Sequence, residues 1–156
     1  EIGSGLVGSE MCIRDRFRSM RVGADKAGLI TVGGRDPRVT RSGYYIRKYK
    51  LDELPQLINV FLGDMSLVGP RPEVRKYVDL YTPEQMHVLD VRPGITDKAS
   101  ILYCHENELL AGADDPEAFY REVVMQDKLK INLEYVRNRS FWGDIKLIFN
   151  TIFKIL

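Results

Sequence analysis

The sequence predicts an α+β domain, predominantly helical with a small β-hairpin. Three observations carry that prediction. Apolar residues recur at helical spacing in several segments, as at Leu54, Leu57, Ile58, Phe61 and Leu62. β-type residues are confined to short pieces, residues 29–32 and 38–40, set around Gly33, Gly34 and Pro37. With 156 residues, 44% of them hydrophobic and 29% charged, the chain suits one globular domain that can bury a core without disulfide staples.

The N-terminal stretch EIGSGLVGSEMCIRDR has no hydrophobic period and shares none with the residues after it. Its part LVGSEMCIRD resembles the translation of a transposase adapter used in DNA library preparation, since ATG TGT ATA AGA GAC AG would encode Met11, Cys12, Ile13, Arg14, Asp15 and the start of Arg16. Residues 1–15 are therefore set apart as an adapter-derived, non-native segment, the alternative being a flexible native N-terminus. Residues 16–156 are read as the domain proper. On this expectation the native N-terminus is missing and Cys12 is not authentic.

Residues 29–40 read as a hairpin or an ordered loop, and residues 44–50 as a short helix ending in positive charge. Residues 52–62 carry the apolar stripe already named, with Gly63 as a fitting stop. MSLVGPRP is extended, because residues before proline avoid the helical region. Pro72 opens a short helix to Leu80, and Thr82-Pro83-Glu84-Gln85 is a capping-box pattern. VRPGIT breaks the chain again. Asp115-Pro116-Glu117 starts helical structure that runs to Arg139 in one or two pieces, and Ser140 caps a last helix.

Composition narrows the chemistry. A net charge of +1 gives no global field directed at nucleic acid, and no nucleic-acid partner is expected. Cys12, Cys104, His87 and His105 form no CxxC pair and no usual zinc spacing. No apolar run is long enough to span a bilayer, and no secretory signal is present. Chemistry then falls to carboxylates and arginines.

Asp52 and Glu53, in LDELPQL, are the leading acids. Local pattern alone makes Asp52 an N-cap, with Glu53 favoured in the first turn by the helix dipole. The same physics permits more. A helix start favours the ionised carboxylate, which is the nucleophilic form, and two adjacent acids beside bound phosphate can hold Mg²⁺. Arg71 stands between two prolines in GPRP, so its phosphate-matching fork is presented from a stiff segment. Arg92 in VRPG repeats the idea, and GGRDPR offers Arg35 and Arg38 beside a glycine pair. Each arginine taken singly fits an ordinary turn; together around an acid pair they favour a phosphorylated substrate. In the last helix Phe141, Ile145, Ile148, Ile152 and Ile155 share one face. That face suits either a membrane interface or core packing.

Taken together, FRSM, GGRDPR, LDELPQLINV, GDMSLVGPRPE and VRPGIT resemble the bacterial sugar transferase family, the monotopic polyprenyl-phosphate phosphoglycosyl transferases. The resemblance runs from Phe17 to about Thr96 and more loosely to the last helix. It implies a membrane-associated monotopic catalytic domain at the cytoplasmic face of the bacterial inner membrane, here without its N-terminal membrane helix. It implies transfer of a sugar-1-phosphate from a UDP-sugar to polyprenyl phosphate with Mg²⁺, through a phosphosugar-aspartate and with release of UMP. Asp52 falls on the family's nucleophile and Glu53 on its partner acid, which assists with metal or protons. Arg71 falls on the PRP arginine, and Arg18 and Arg92 on further basic positions. The chain departs from the family after RPGIT, where Asp97, Lys98, Ala99 and Ser100 replace the usual glycine, aromatic and glutamine pattern. A non-catalytic fragment that docks on a membrane or a partner is the alternative. The sugar, the lipid length, the pathway and the oligomeric state are not legible.

Overall fold

The computed structural model describes residues 16–24, 36–71 and 73–155. The hairpin residues 29–32 lie outside that range. Among the described residues the chain is mostly helical, and its sheet is a parallel pair of strands. A single antiparallel bridge, Met20 to Val39, flanks the undescribed stretch.

Helix α1 is Arg41–Lys48, earlier than predicted because Thr40 accepts the Gly43 N–H and caps it. A short 3₁₀ turn, Leu51–Glu53, comes next, and then α2, Gln56–Leu62. One continuous helix was expected here. Lys50 adopts a left-handed conformation (φ 55°), which separates the acid turn from α1, and Pro55, with no N–H to donate, separates that turn from α2. Gly63 ends α2 at φ 88°, as its freedom from a Cβ allows.

Strand β1, Ser66–Val68, pairs in parallel with β2, Gly94–Thr96, in the register Ser66 to Gly94 and Val68 to Thr96. The strands leave the pair side by side because Gly69 and Gly94 touch. A Cβ on Gly94 would sit 2.1 Å from the Gly69 nitrogen, so no other residue fits without a shift. Between the strands, α3 (Arg75–Val78) begins three residues after Pro72. The capping box is present: Thr82 N–H donates to Gln85 Oε1 at 2.9 Å, and Gln85 N–H to Thr82 Oγ1 at 3.3 Å. It opens a 3₁₀ helix, Gln85–Asp90.

Two short helices, α4 (Lys98–Leu102) and α5 (Glu106–Ala111), were not foreseen, because neither is long enough to show a period. Asp115 caps α6, Pro116–Phe119, by accepting two backbone N–H groups. That helix runs through a π turn, Tyr120–Val124, into α7, Met125–Asn138. Tyr77, Val88, Leu110, Tyr120, Val124, Met125, Leu129 and Leu133 form the core, so α7 is its spine. Helix α8, Phe141–Ile155, closes the order, with Ser140 accepting the Gly143 N–H. It is anchored by Thr151 to Thr96 (2.6 Å) and by Lys154 to the Ile101 carbonyl (2.7 Å).

Two helices present apolar residues outward. On α2 the polar Gln56 and Asn59 are buried, while Leu57, Ile58, Phe61 and Leu62 are exposed, Phe61 to 90%. On α8, Phe141, Trp142, Phe149, Ile152 and Phe153 are exposed and Ile145 and Ile148 only half-buried. The α8 face is thus no core face. Among the described residues no helix is long and apolar enough to cross a membrane.

Candidate active site

The 3₁₀ turn carries both acids inward. Asp52 and Glu53 are 7% and 8% exposed. Asp52 is not the N-cap that local pattern suggested; α2 starts one turn later, at Gln56, and nothing in Asp52's side chain caps it. Its Oδ1 is buried without a hydrogen-bond partner. Its backbone carbonyl accepts the Phe17 N–H at 3.0 Å, which ties the incoming chain to the acid turn.

Glu53 is engaged. Arg71 Nη2 donates to Glu53 Oε1 at 2.5 Å, and Arg16 Nη2 lies 3.6 Å from the same oxygen. Burial alone would raise the Glu53 pKa, but the charge and hydrogen bond of Arg71 outweigh it and hold the carboxyl below its ordinary value. Burial likewise opposes the Arg71 charge, and Glu53 outweighs it, so Arg71 rises. Each partner keeps the other ionised. A neutral hydrogen-bonded pair would not attract phosphate; a charged pair with one unengaged acid beside it can.

The strand pair brings Arg71 here. It lies just past the end of β1, and its backbone N–H donates to Asp97 Oδ2 at 3.0 Å, just past β2. Arg16, Arg47, Lys50, Asp52, Glu53, Arg71 and Asp97 line one cavity of about 1210 Å³. That exceeds the roughly 300–1,000 Å³ of ordinary small-molecule pockets. The cavity extends to Glu73, Tyr103, Glu106, Lys128 and Asn132. Tyr120 Oη donates to Glu73 at 2.6 Å, Lys128 pairs with Glu106, and Asn132 Oδ1 is buried without a partner.

The other predicted arginines are placed differently. Arg38 forks onto Asp36, with Nε at 2.9 and 3.0 Å from its oxygens and Nη2 at 2.5 Å, so its guanidinium serves a neighbouring carboxylate. Arg18 and Arg92 are exposed and do not line the cavity; the Arg92 guanidinium stands beside Gly63. Arg35 lies outside the described residues. Arg16, Arg47, Lys50, Asp97 and Asn132 were missed. Arg47 and Lys50 lie just before the acids but in no recognised motif, and Arg16, Asp97 and Asn132 come from distant segments, so no spacing rule links them to the acids.

Mg²⁺ can be tested against these groups. Among the described residues no cluster of three or more His, Cys, Asp or Glu side chains is set to hold a metal. The orphaned Asp52 Oδ1 beside Glu53 fits the sparser arrangement that Mg²⁺ favours, one or two carboxylates completed by substrate phosphates and water.

Comparison with known proteins agrees with the geometry. The profile of the family described as "Bacterial sugar transferase" matches residues 5–156, which takes in part of the adapter-like stretch. The chain is 40% identical over 144 residues to a UDP-N-acetylgalactosamine-undecaprenyl-phosphate N-acetylgalactosaminephosphotransferase of Aeromonas hydrophila, covering 90% of this chain and 31% of that protein. It is 39% identical over 142 residues to the UDP-glucose:undecaprenyl-phosphate glucose-1-phosphate transferase of Escherichia coli K12, covering 89% of this chain and 28% of that one. Against the uncharacterized sugar transferase EpsL of Bacillus subtilis it is 36% identical over 156 residues, all of this chain and 68% of the relative. The chain thus spans less than a third of the first two relatives. With a family profile matched over nearly its whole length, the chain belongs to the bacterial sugar transferase family.

Proposed function

We propose that the protein transfers a sugar-1-phosphate from a UDP-sugar to polyprenyl phosphate at the cytoplasmic face of the bacterial inner membrane. The observation that carries the reading is the buried pair of adjacent acids, one held by Arg71 and the other with an unengaged oxygen, in a single large cavity. Relatives named for undecaprenyl-phosphate sugar phosphotransfer support the substrate classes.

In this mechanism an Asp52 oxygen attacks the phosphorus bonded to the sugar. The bond from that phosphorus to the oxygen it shares with the uridylyl group breaks, and UMP leaves with that oxygen and its electron pair. A phosphate oxygen of the polyprenyl phosphate then attacks the same phosphorus, and Asp52 departs as a carboxylate. Two in-line displacements replace one difficult transfer. Arg71, fixed by Glu53, binds and orients the donor phosphates, to which its planar fork is matched. Asp52 and Glu53 would hold Mg²⁺, which when bound neutralises phosphate charge and eases departure of UMP. The test is product analysis with the full-length protein, a UDP-sugar and polyprenyl phosphate: UMP release with ping-pong kinetics is expected, and UDP release would refute the reading.

The outward apolar faces of α2 and α8 support a membrane surface as the site's partner. A lipid acceptor must reach Asp52, and α2 begins just after the acid turn, so the face that would meet lipid adjoins the chemistry. Phe61→Glu removes one fully exposed aromatic without touching the core. Vesicle binding is expected to weaken roughly 10- to 100-fold, the equivalent of one large apolar side chain withheld from lipid. The thermal midpoint should be unchanged, because Phe61 contributes almost no burial in the free protein. Unaltered co-sedimentation with anionic vesicles would take α2 out of the docking face. The alternative of a docking fragment without catalysis predicts this binding and no UMP.

A further inference from the structure

We propose that Asp97 is a positioning residue for Arg71, fixing the arginine's backbone so that its guanidinium stays on Glu53. The proposal rests on the phosphoglycosyl transferase reading and adds to it a residue that chemistry and recognition motifs alone do not point to. Residues 70–72 read Pro-Arg-Pro. Neither proline has an N–H, so Arg71 carries the only backbone donor of the tripeptide. That donor goes to Asp97 Oδ2 at 3.0 Å. The acceptor is a buried side chain, 2% exposed, so the bond is shielded from competing water.

Asp97 is itself held from the other side. Its Oδ1 accepts the Ser100 N–H at 2.5 Å, and Ser100 Oγ donates to Oδ2 at 3.2 Å. One carboxylate therefore caps α4 and anchors the loop that carries Arg71. The parallel register makes this possible: Val68 faces Thr96, so the residues after each strand emerge together. An arginine side chain is long and has many rotamers. Fixing its backbone shortens the lever on which the guanidinium can wander, and an ångström of misplacement at a reacting phosphate costs about 100-fold.

Capping and anchoring can be separated. Asn and Ser both cap helices well. Asn has a single acceptor oxygen and cannot serve Ser100 and Arg71 together, and Ser is too short to reach across to the Arg71 loop. Asp97→Asn and Asp97→Ser are each made in the full-length protein. Four quantities are read: hydrogen exchange of the Arg71 amide, the thermal midpoint, and kcat and KM for UMP release from a UDP-sugar. The expected result is loss of Arg71 amide protection by about tenfold or more, and kcat lower by about 10- to 100-fold with a smaller change in KM. The midpoint should stay within a few degrees in at least one variant. Wild-type kcat in a folded variant whose Arg71 amide exchanges freely would overturn the proposal, as would unchanged Arg71 protection in both variants. If the wild-type protein releases no UMP, the reaction reading fails, and the exchange measurement alone decides whether Asp97 holds Arg71.

Discussion

Asp52→Asn in the full-length protein is expected to lower UMP release by about 10⁴- to 10⁶-fold, the scale seen when a covalent nucleophile is removed. The amide is nearly the same shape as the carboxylate but has no charge to donate to phosphorus. The structure adds a second, less obvious outcome. Asp52 Oδ1 is buried and makes no hydrogen bond, so the native side chain is a cost to folding rather than a support. The bond from Phe17 uses the Asp52 backbone carbonyl and survives the substitution. Activity should collapse while the thermal midpoint holds or rises, a trade of stability for function at the reacting atom. Near-normal UMP release would remove Asp52 as nucleophile. A large fall in the midpoint would mean that the acid is structural.

Arg71→Met should act in the opposite way, on stability as well as activity. It leaves Glu53, 8% exposed, without its main partner. Breaking a buried pair from one side costs about 3–5 kcal/mol, because the remaining charge keeps its desolvation penalty. Arg16, at 3.6 Å from the same oxygen, recovers some of that, which places the expected loss at the lower end. The pH dependence fixes the cause. In the native protein the Glu53 pKa is depressed below the ordinary carboxylate value of 4.5, so the pair's contribution is complete above that value and is lost as pH falls through the folded one. In Arg71→Met, burial acts on Glu53 without its main counterweight, and protonation then relieves the variant. The difference in unfolding free energy between the two proteins should be largest near neutrality and shrink on acidification. A difference that is flat with pH would locate the loss in packing of the arginine stem.

Much of the architecture was legible in local chemistry. Thr82 and Gln85 satisfy each other's backbone donors, Gly63 ends α2 in the left-handed region, Asp115 and Ser140 cap their helices, and GPRP comes after an extended strand. Each of these depends on residues close along the chain, where backbone sterics and hydrogen bonding decide the outcome before any tertiary contact forms. The acid pair and Arg71 were legible for another reason, the order of several motifs. What escaped was everything set by long-range packing. The short helices α4 and α5 carry too few residues for a period to show. The apolar stripe of residues 54–62 was visible as helical, but its direction was not: Gln56 and Asn59 turn inward and the stripe turns outward.

The arginines show the same division. As sequence, Arg18, Arg35, Arg38, Arg71 and Arg92 are alike, cations offered by short motifs. In the fold, Asp36 takes Arg38 through a contact two residues away, Arg18 and Arg92 stand exposed outside the cavity, and Arg71 meets Glu53 across 18 residues. The sequence by itself determined the residue types available for chemistry, many of the places where helices begin and end, and the family to which their order belongs. Only the tertiary structure decided which cation faces which acid, that Asp97 holds the Arg71 backbone across 26 residues, and that the helix beside the acids turns its apolar side outward. The physical reason is range: caps and turns are settled by neighbours along the chain, whereas the strength of a charge pair depends on burial and distance, which exist only after β1 and β2 have paired.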